Sequence, residues 1–132
     1  MNINTEEDFM DLKLVFRIAA VIFLINAFGI IFMPNTFFEM AGLTMSDSLK
    51  TVGQFLGITI VFIALLSWRI PDIAGNAFSA LGQLWGIGNL LWFLMVSYHV
   101  MTGQAGGSTA YINIALFAVF AVLFFMYSRK SE

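Results

Sequence analysis

The chain has 132 residues, of which 60% are hydrophobic and only 11% charged. That is too little charge to cover a soluble domain of this size, so the composition is that of one integral membrane domain over residues 1–132. A net charge of −2 gives no basis for binding nucleic acid, and the absence of cysteine excludes disulfides, thiolate metal sites and a cysteine nucleophile.

The N-terminal stretch MNINTEEDFMDLK is acidic. It has neither the positive start nor the small-residue cleavage site of a signal peptide, so the first apolar run is expected to be retained. Thr5 with Asp8 resembles a capping box, which starts a helix near Thr5 and gives a first span over about residues 14–33. Pro34 ends that helix because it has no N–H and its ring disfavours a helical residue before it. Asn35 or Thr36 is expected to cap a short helix over 37–41, stopped by Gly42. Phe37, Phe38 and Met40 beside Glu39 suit a segment lying at the membrane interface.

Ser46 or Asp47 is expected to cap the second span, over about residues 49–68. Gly53, Gly57, Ile60, Ala64 and Ser67 recur at four–three spacing, with a GxxxG step from Gly53 to Gly57, a surface on which a neighbouring helix can come close and which is expected to meet the third span. The link Arg69-Ile70-Pro71-Asp72 is short, which makes spans two and three antiparallel neighbours and places Pro71 in the first turn of the third span.

The third run, about residues 73–101, contains no Asp, Glu, Lys or Arg. It is longer than the ~20 residues needed to cross the hydrocarbon core. Gly75, Ser79, Gly82, Gly86 and Asn89 recur at four–three spacing, so they share one helix face suited to close packing. TGQAGGS at 102–108 reads as a flexible, uncharged link before a fourth span over about residues 109–127. These elements predict an all-α, up-down-up-down bundle of four transmembrane helices with a short interfacial helix after the first. Five of the six basic residues, Lys13, Arg17, Arg69, Arg129 and Lys130, fall on the side that carries both termini. The termini are therefore expected to be cytoplasmic, with the 34–48 and 102–108 loops facing outward.

Four groups of residues are candidates for function. Asn26, Gln54, Asn89 and Asn113 fall at a similar depth in the outward half, one per span, as either interhelical hydrogen-bonding groups or the polar part of an outward pocket. No carboxylate shares that depth, which argues against ion coupling. Lys13, Arg17 and Arg69 lie at the inner edge. They either snorkel to the head groups, with Asp72 as a partner for Arg17, or bind an anionic lipid head group. His99 is the only histidine and lies on the same side as Glu39 and Asp47, so a metal site there is conceivable, although a belt residue is the simpler reading. Trp85 and Trp92 share a face on which a quinone or pigment could stack, or which simply packs. Ser97 and His99 are two residues apart on a helix, so they are not a nucleophile–base pair, and no enzyme signature is present.

The segment MPNTFFEMAGLTMSDSLKTVGQFLGITIVFIALLSWRI at 33–70 resembles a pattern from uncharacterised bacterial families of small four-helix integral membrane proteins. Pro34, Phe37, Gly42, Leu43, Gly53, Gly57, Trp68 and Arg69 carry the resemblance. It implies the four-span layout and transfers no activity, catalytic residue or cofactor. Minimal loops and plentiful helix-packing faces lead to the expectation of a non-catalytic accessory or scaffolding subunit, with membrane lipids and other membrane subunits as partners. The alternative is a protein that binds or transports a small molecule, lipid or cofactor in a polar pocket of the outward half.

Overall fold

The computed structural model describes the backbone of residues 3–130 and the side chains of residues 11–129. The described residues form five α-helices and no strand: α1 (Ile3–Phe32), α2 (Pro34–Met40), α3 (Asp47–Ile73), α4 (Phe78–Met101) and α5 (Gly107–Lys130). All but α2 are long and apolar enough to cross a membrane.

The helix boundaries follow from local chemistry. Met33 leaves the helical region at φ −132° and ψ 55°, and Pro34 opens α2 at a position where the missing N–H costs nothing. Neither Asn35 nor Thr36 caps α2; both lie inside it, and Met33 holds the cap position without a side-chain bond. Gly42, at φ +80°, stops α2. The Leu43 N–H bonds the Phe38 carbonyl at 2.9 Å and the Gly42 N–H bonds that of Glu39 at 3.0 Å, the paired bonds of a Schellman motif. Ser46 caps α3 by accepting a 3.0 Å bond from the Leu49 N–H.

The third long helix begins later than its apolar run. Pro71 lies in the last turn of α3, not in the first turn of α4. The chain breaks at Gly75, whose φ of +54° is open to glycine and strained for other residues, and a 3₁₀ turn over Gly75–Ala77 leads into α4. Gly75 is therefore outside the small-residue seam, and a Cβ there would meet nothing within 4 Å.

The long helices contact one another in the order α3, α1, α5, α4, with the heaviest packing between α1 and α3 and between α4 and α5. Despite their short link, α3 and α4 touch only sparsely. The Gly53 and Gly57 surface meets α2 and α1, not α4. A Cβ on Gly53 would lie 2.6 Å from the Phe38 ring, and one on Gly57 would lie 2.5 Å from Ile31. On α4, Gly82 lies against Ser128 and Leu12, Gly86 against the Phe125 ring, and the Ser79 hydroxyl donates a 2.7 Å bond to the Ser128 carbonyl. Small residues thus bring α3 onto α1 and α4 onto α5.

The buried core is concentrated where α1 and α4 start and where α3 and α5 end. Leu12, Val15, Phe16, Ala19, Ile70, Phe78, Phe120 and Phe124 form it. Phe16 is its centre, with ring centroids 4.8 Å from Phe124, 5.5 Å from Phe78 and 5.6 Å from Trp85.

Candidate functional site

The core does not continue to the other end. There a cavity of about 680 Å³ lies among α1, α2, α3, α4 and α5. Its formation follows from the link at Gly75. Near that link α3 and α4 are tied together, since the Trp85 indole N–H donates a 2.8 Å bond to Ser67 Oγ, which itself donates to the Ile63 carbonyl. Further from the link, Leu56 and Ile60 of α3 and Gly88, Trp92 and Met95 of α4 border open space. These two helices touch so little that both border the cavity over this stretch without closing on each other.

The distal end is closed by two loops pinned to each other. The Gly106 N–H bonds the Ala41 carbonyl at 2.8 Å, Gly42 packs on the Gly106 backbone, and Gly107 packs on the Met40 carbonyl. The 102–106 link is therefore docked rather than loose, because glycines at 42 and 107 let the two backbones meet without side chains between them. Ala41, Leu43, Gln104 and Ala105 supply the cavity wall at this end.

The lining is largely apolar and aromatic, with Phe23, Phe37, Phe38, Trp85, Trp92 and Phe117 among its members. Trp92 stacks on Phe117 at 5.5 Å and 18°, while Trp85 is turned into the core, so the two tryptophans share a face but occupy different surroundings. Among the described residues, no Asp, Glu, Lys or Arg lines the cavity. The polar lining includes three of the four amides expected at this depth: Asn26, Asn89 and Asn113. Gln54 is exposed and away from the cavity, because it sits one residue on from Gly53, about 100° round the helix.

The amides do not bond one another. Asn26 Nδ2 donates to the Ile22 carbonyl at 3.3 Å and Asn89 Nδ2 to the Trp85 carbonyl at 2.8 Å, each one turn back on its own helix. Asn89 is only 4% exposed, and its Oδ1 is buried without a hydrogen-bond partner. An unsatisfied buried carbonyl of this kind costs roughly 1–3 kcal/mol, which a donor from a guest molecule would recover.

His99 borders the cavity at its distal end, with Nδ1 2.8 Å from Gln104 Oε1. Among the described residues, no three His, Asp or Glu side chains converge to hold a metal, so Glu39 and Asp47 do not form a set with His99.

The basic residues of the opposite end do come together. Lys13 Nζ lies 3.6 Å from Asp72 Oδ1, and Arg17 and Arg69 lie 2.8 and 3.9 Å from Asp72 Oδ2. The Arg17 guanidinium also sits 4.3 Å from the centroid of the Trp68 ring.

One functional position escaped the sequence reading. Gly88 borders the cavity, and a Cβ there would meet nothing within 4 Å. It lies off the four–three seam, but it falls between Trp85 and Trp92 at spacings of three and four, so the tryptophan face carried the signal. Ser67, by contrast, continues the four–three face of Gly53, Gly57, Ile60 and Ala64, and it is the member of that face that reaches α4, fully buried as the acceptor for Trp85. Compared with family models, curated proteins and solved structures, the chain matches none, so its reading rests on its own geometry.

Proposed function

We propose that this chain is an integral membrane protein that binds a neutral, largely apolar small molecule carrying one hydrogen-bonding group, taken from the bilayer through the gap between α3 and α4. In this reading the four long helices run up-down-up-down with both termini in the cytoplasm of a bacterial inner membrane, and α2 lies at the outer interface. The bias of basic residues supports that orientation. The observation that carries the proposal is Asn89, a buried amide with an unpaired carbonyl on the wall of a largely apolar cavity. A volume of 680 Å³ falls within the range of small-ligand sites and holds roughly twenty groups of ~30 Å³. The absence of charge in the lining favours an uncharged guest, since an isolated ion would be left without a counter-charge.

The accessory-subunit reading has less support. It drew on plentiful small-residue faces, and Gly53, Gly57, Gly82 and Gly86 are all covered within the chain itself.

The test uses Gly88→Phe, which fills the cavity from a position with free space around it. Wild-type and variant protein are purified in a mild detergent, and organic extracts are compared by mass spectrometry. The wild type should retain an apolar compound near one per chain, and the variant should retain at least about tenfold less, the loss that ~1.4 kcal/mol of affinity brings. Equal retention by both, or none by the wild type, refutes the proposal.

A further inference from the structure

The opposite end of the molecule carries a second site, independent of the cavity. Lys13 and Arg17 from α1 and Arg69 from α3 converge on a single carboxylate, Asp72, so three positive charges against one leave a surplus of two. Cations that merely snorkel spread outward to separate head groups; these point at one spot. Arg17 is the fixed member. Its side chain is only 22% exposed, it stands beside the Trp68 ring, and its Nε is buried with no hydrogen-bond partner. Lys13 and Arg69 are more open, with side chains 44% and 63% exposed, and are free to turn toward an incoming anion.

We propose that Lys13, Arg17 and Arg69 bind the phosphate of an anionic membrane lipid, with Asp72 holding the three cations together when the lipid is absent. A tetrahedral phosphate offers several acceptor oxygens, which suits a guanidinium fork and two further cations better than one carboxylate does. Arg17 lies six residues into the apolar span Asp11–Phe32 and Trp68 five residues before the end of α3, within reach of the head groups at that end of the bundle for side chains of this length.

The test is native mass spectrometry of the full chain in a neutral detergent, titrated with equal amounts of phosphatidylglycerol and phosphatidylcholine. Phosphatidylglycerol should bind at least about fivefold better, the effect of roughly one surface cation. In the K13Q/R17Q/R69Q variant the preference should fall to near unity. Equal binding of the two lipids by the wild type, or an unchanged preference in the triple variant, overturns the proposal. Asp72→Asn is the second variant, and it decides the matter if the triple variant does not fold. Removing the competing carboxylate should raise the preference for phosphatidylglycerol, whereas a purely structural ion pair predicts no rise, and an unchanged or lower preference counts against the site. Millimolar inorganic phosphate, at constant ionic strength, distinguishes the source. Failure to displace phosphatidylglycerol supports the lipid, and full displacement overturns it in favour of the free anion.

Discussion

Where α1 starts and α5 ends, Phe16, Phe78 and Phe124 fill the space between the helices; at the other end, an equally aromatic set, including Phe23, Phe37, Phe38 and Phe117, encloses about 680 Å³ of open volume. Residue type does not separate the two regions. The distance between α3 and α4 does. Those helices are bonded through Ser67 and Trp85 near their link and have little contact beyond it. In a membrane, lipid provides no hydrophobic drive to close such a gap, because acyl chains are as apolar as the side chains. A void between helices can therefore persist where water would have collapsed it, and the unpaired Asn89 carbonyl on its wall is the feature on which the proposed binding rests.

The sharpest way to break the contrast is to hollow the filled region. Phe16→Ala removes a fully buried ring with three aromatic neighbours and should cost about 3–5 kcal/mol, read as a lower thermal unfolding midpoint in detergent. Next comes the contact that sets α3 on α1. Gly57→Ala places a methyl 2.5 Å from Ile31 and should destabilise by roughly 1–3 kcal/mol in the same measurement. Trp85→Phe keeps the ring but loses the donor to Ser67, for an expected cost of about 1 kcal/mol.

On the hollow side the stability effects should be smaller and the binding effects larger. Asn89→Leu removes the unpaired carbonyl, so stability should change by less than about 1 kcal/mol while the co-purifying apolar compound falls about tenfold. Gln54→Leu changes an exposed position outside the cavity, and both stability and retained compound should stay as in the wild type, within about 0.5 kcal/mol.

Much of the architecture was legible in the chain. Four long apolar runs, Pro34, Gly42 and the Ser46 cap each act through local chemistry, and the structure places the helix ends accordingly. The four–three spacing identified real packing faces but not their neighbours. Gly53 and Gly57 define a surface of α3, yet whether α1 or α4 covers it depends on how the helices diverge past Gly75. The same limit explains the amides. Depth along a span follows from counting residues, but rotation about the helix axis decides that Asn89 lines the cavity and Gln54 does not. The shared depth of the amides was the one sequence signal for the cavity, and its volume was not legible because it comes from the separation of two helices.

The most direct measurement of the hollow region is quenching of tryptophan fluorescence by a medium-chain brominated alcohol in vesicles holding either the wild type or Gly88→Phe. Trp92 lines the cavity and is 41% exposed, so bromine bound there lies within reach of its ring. The account predicts a saturable component of quenching in the wild type that disappears in the variant. Identical, non-saturating quenching in both proteins would contradict it.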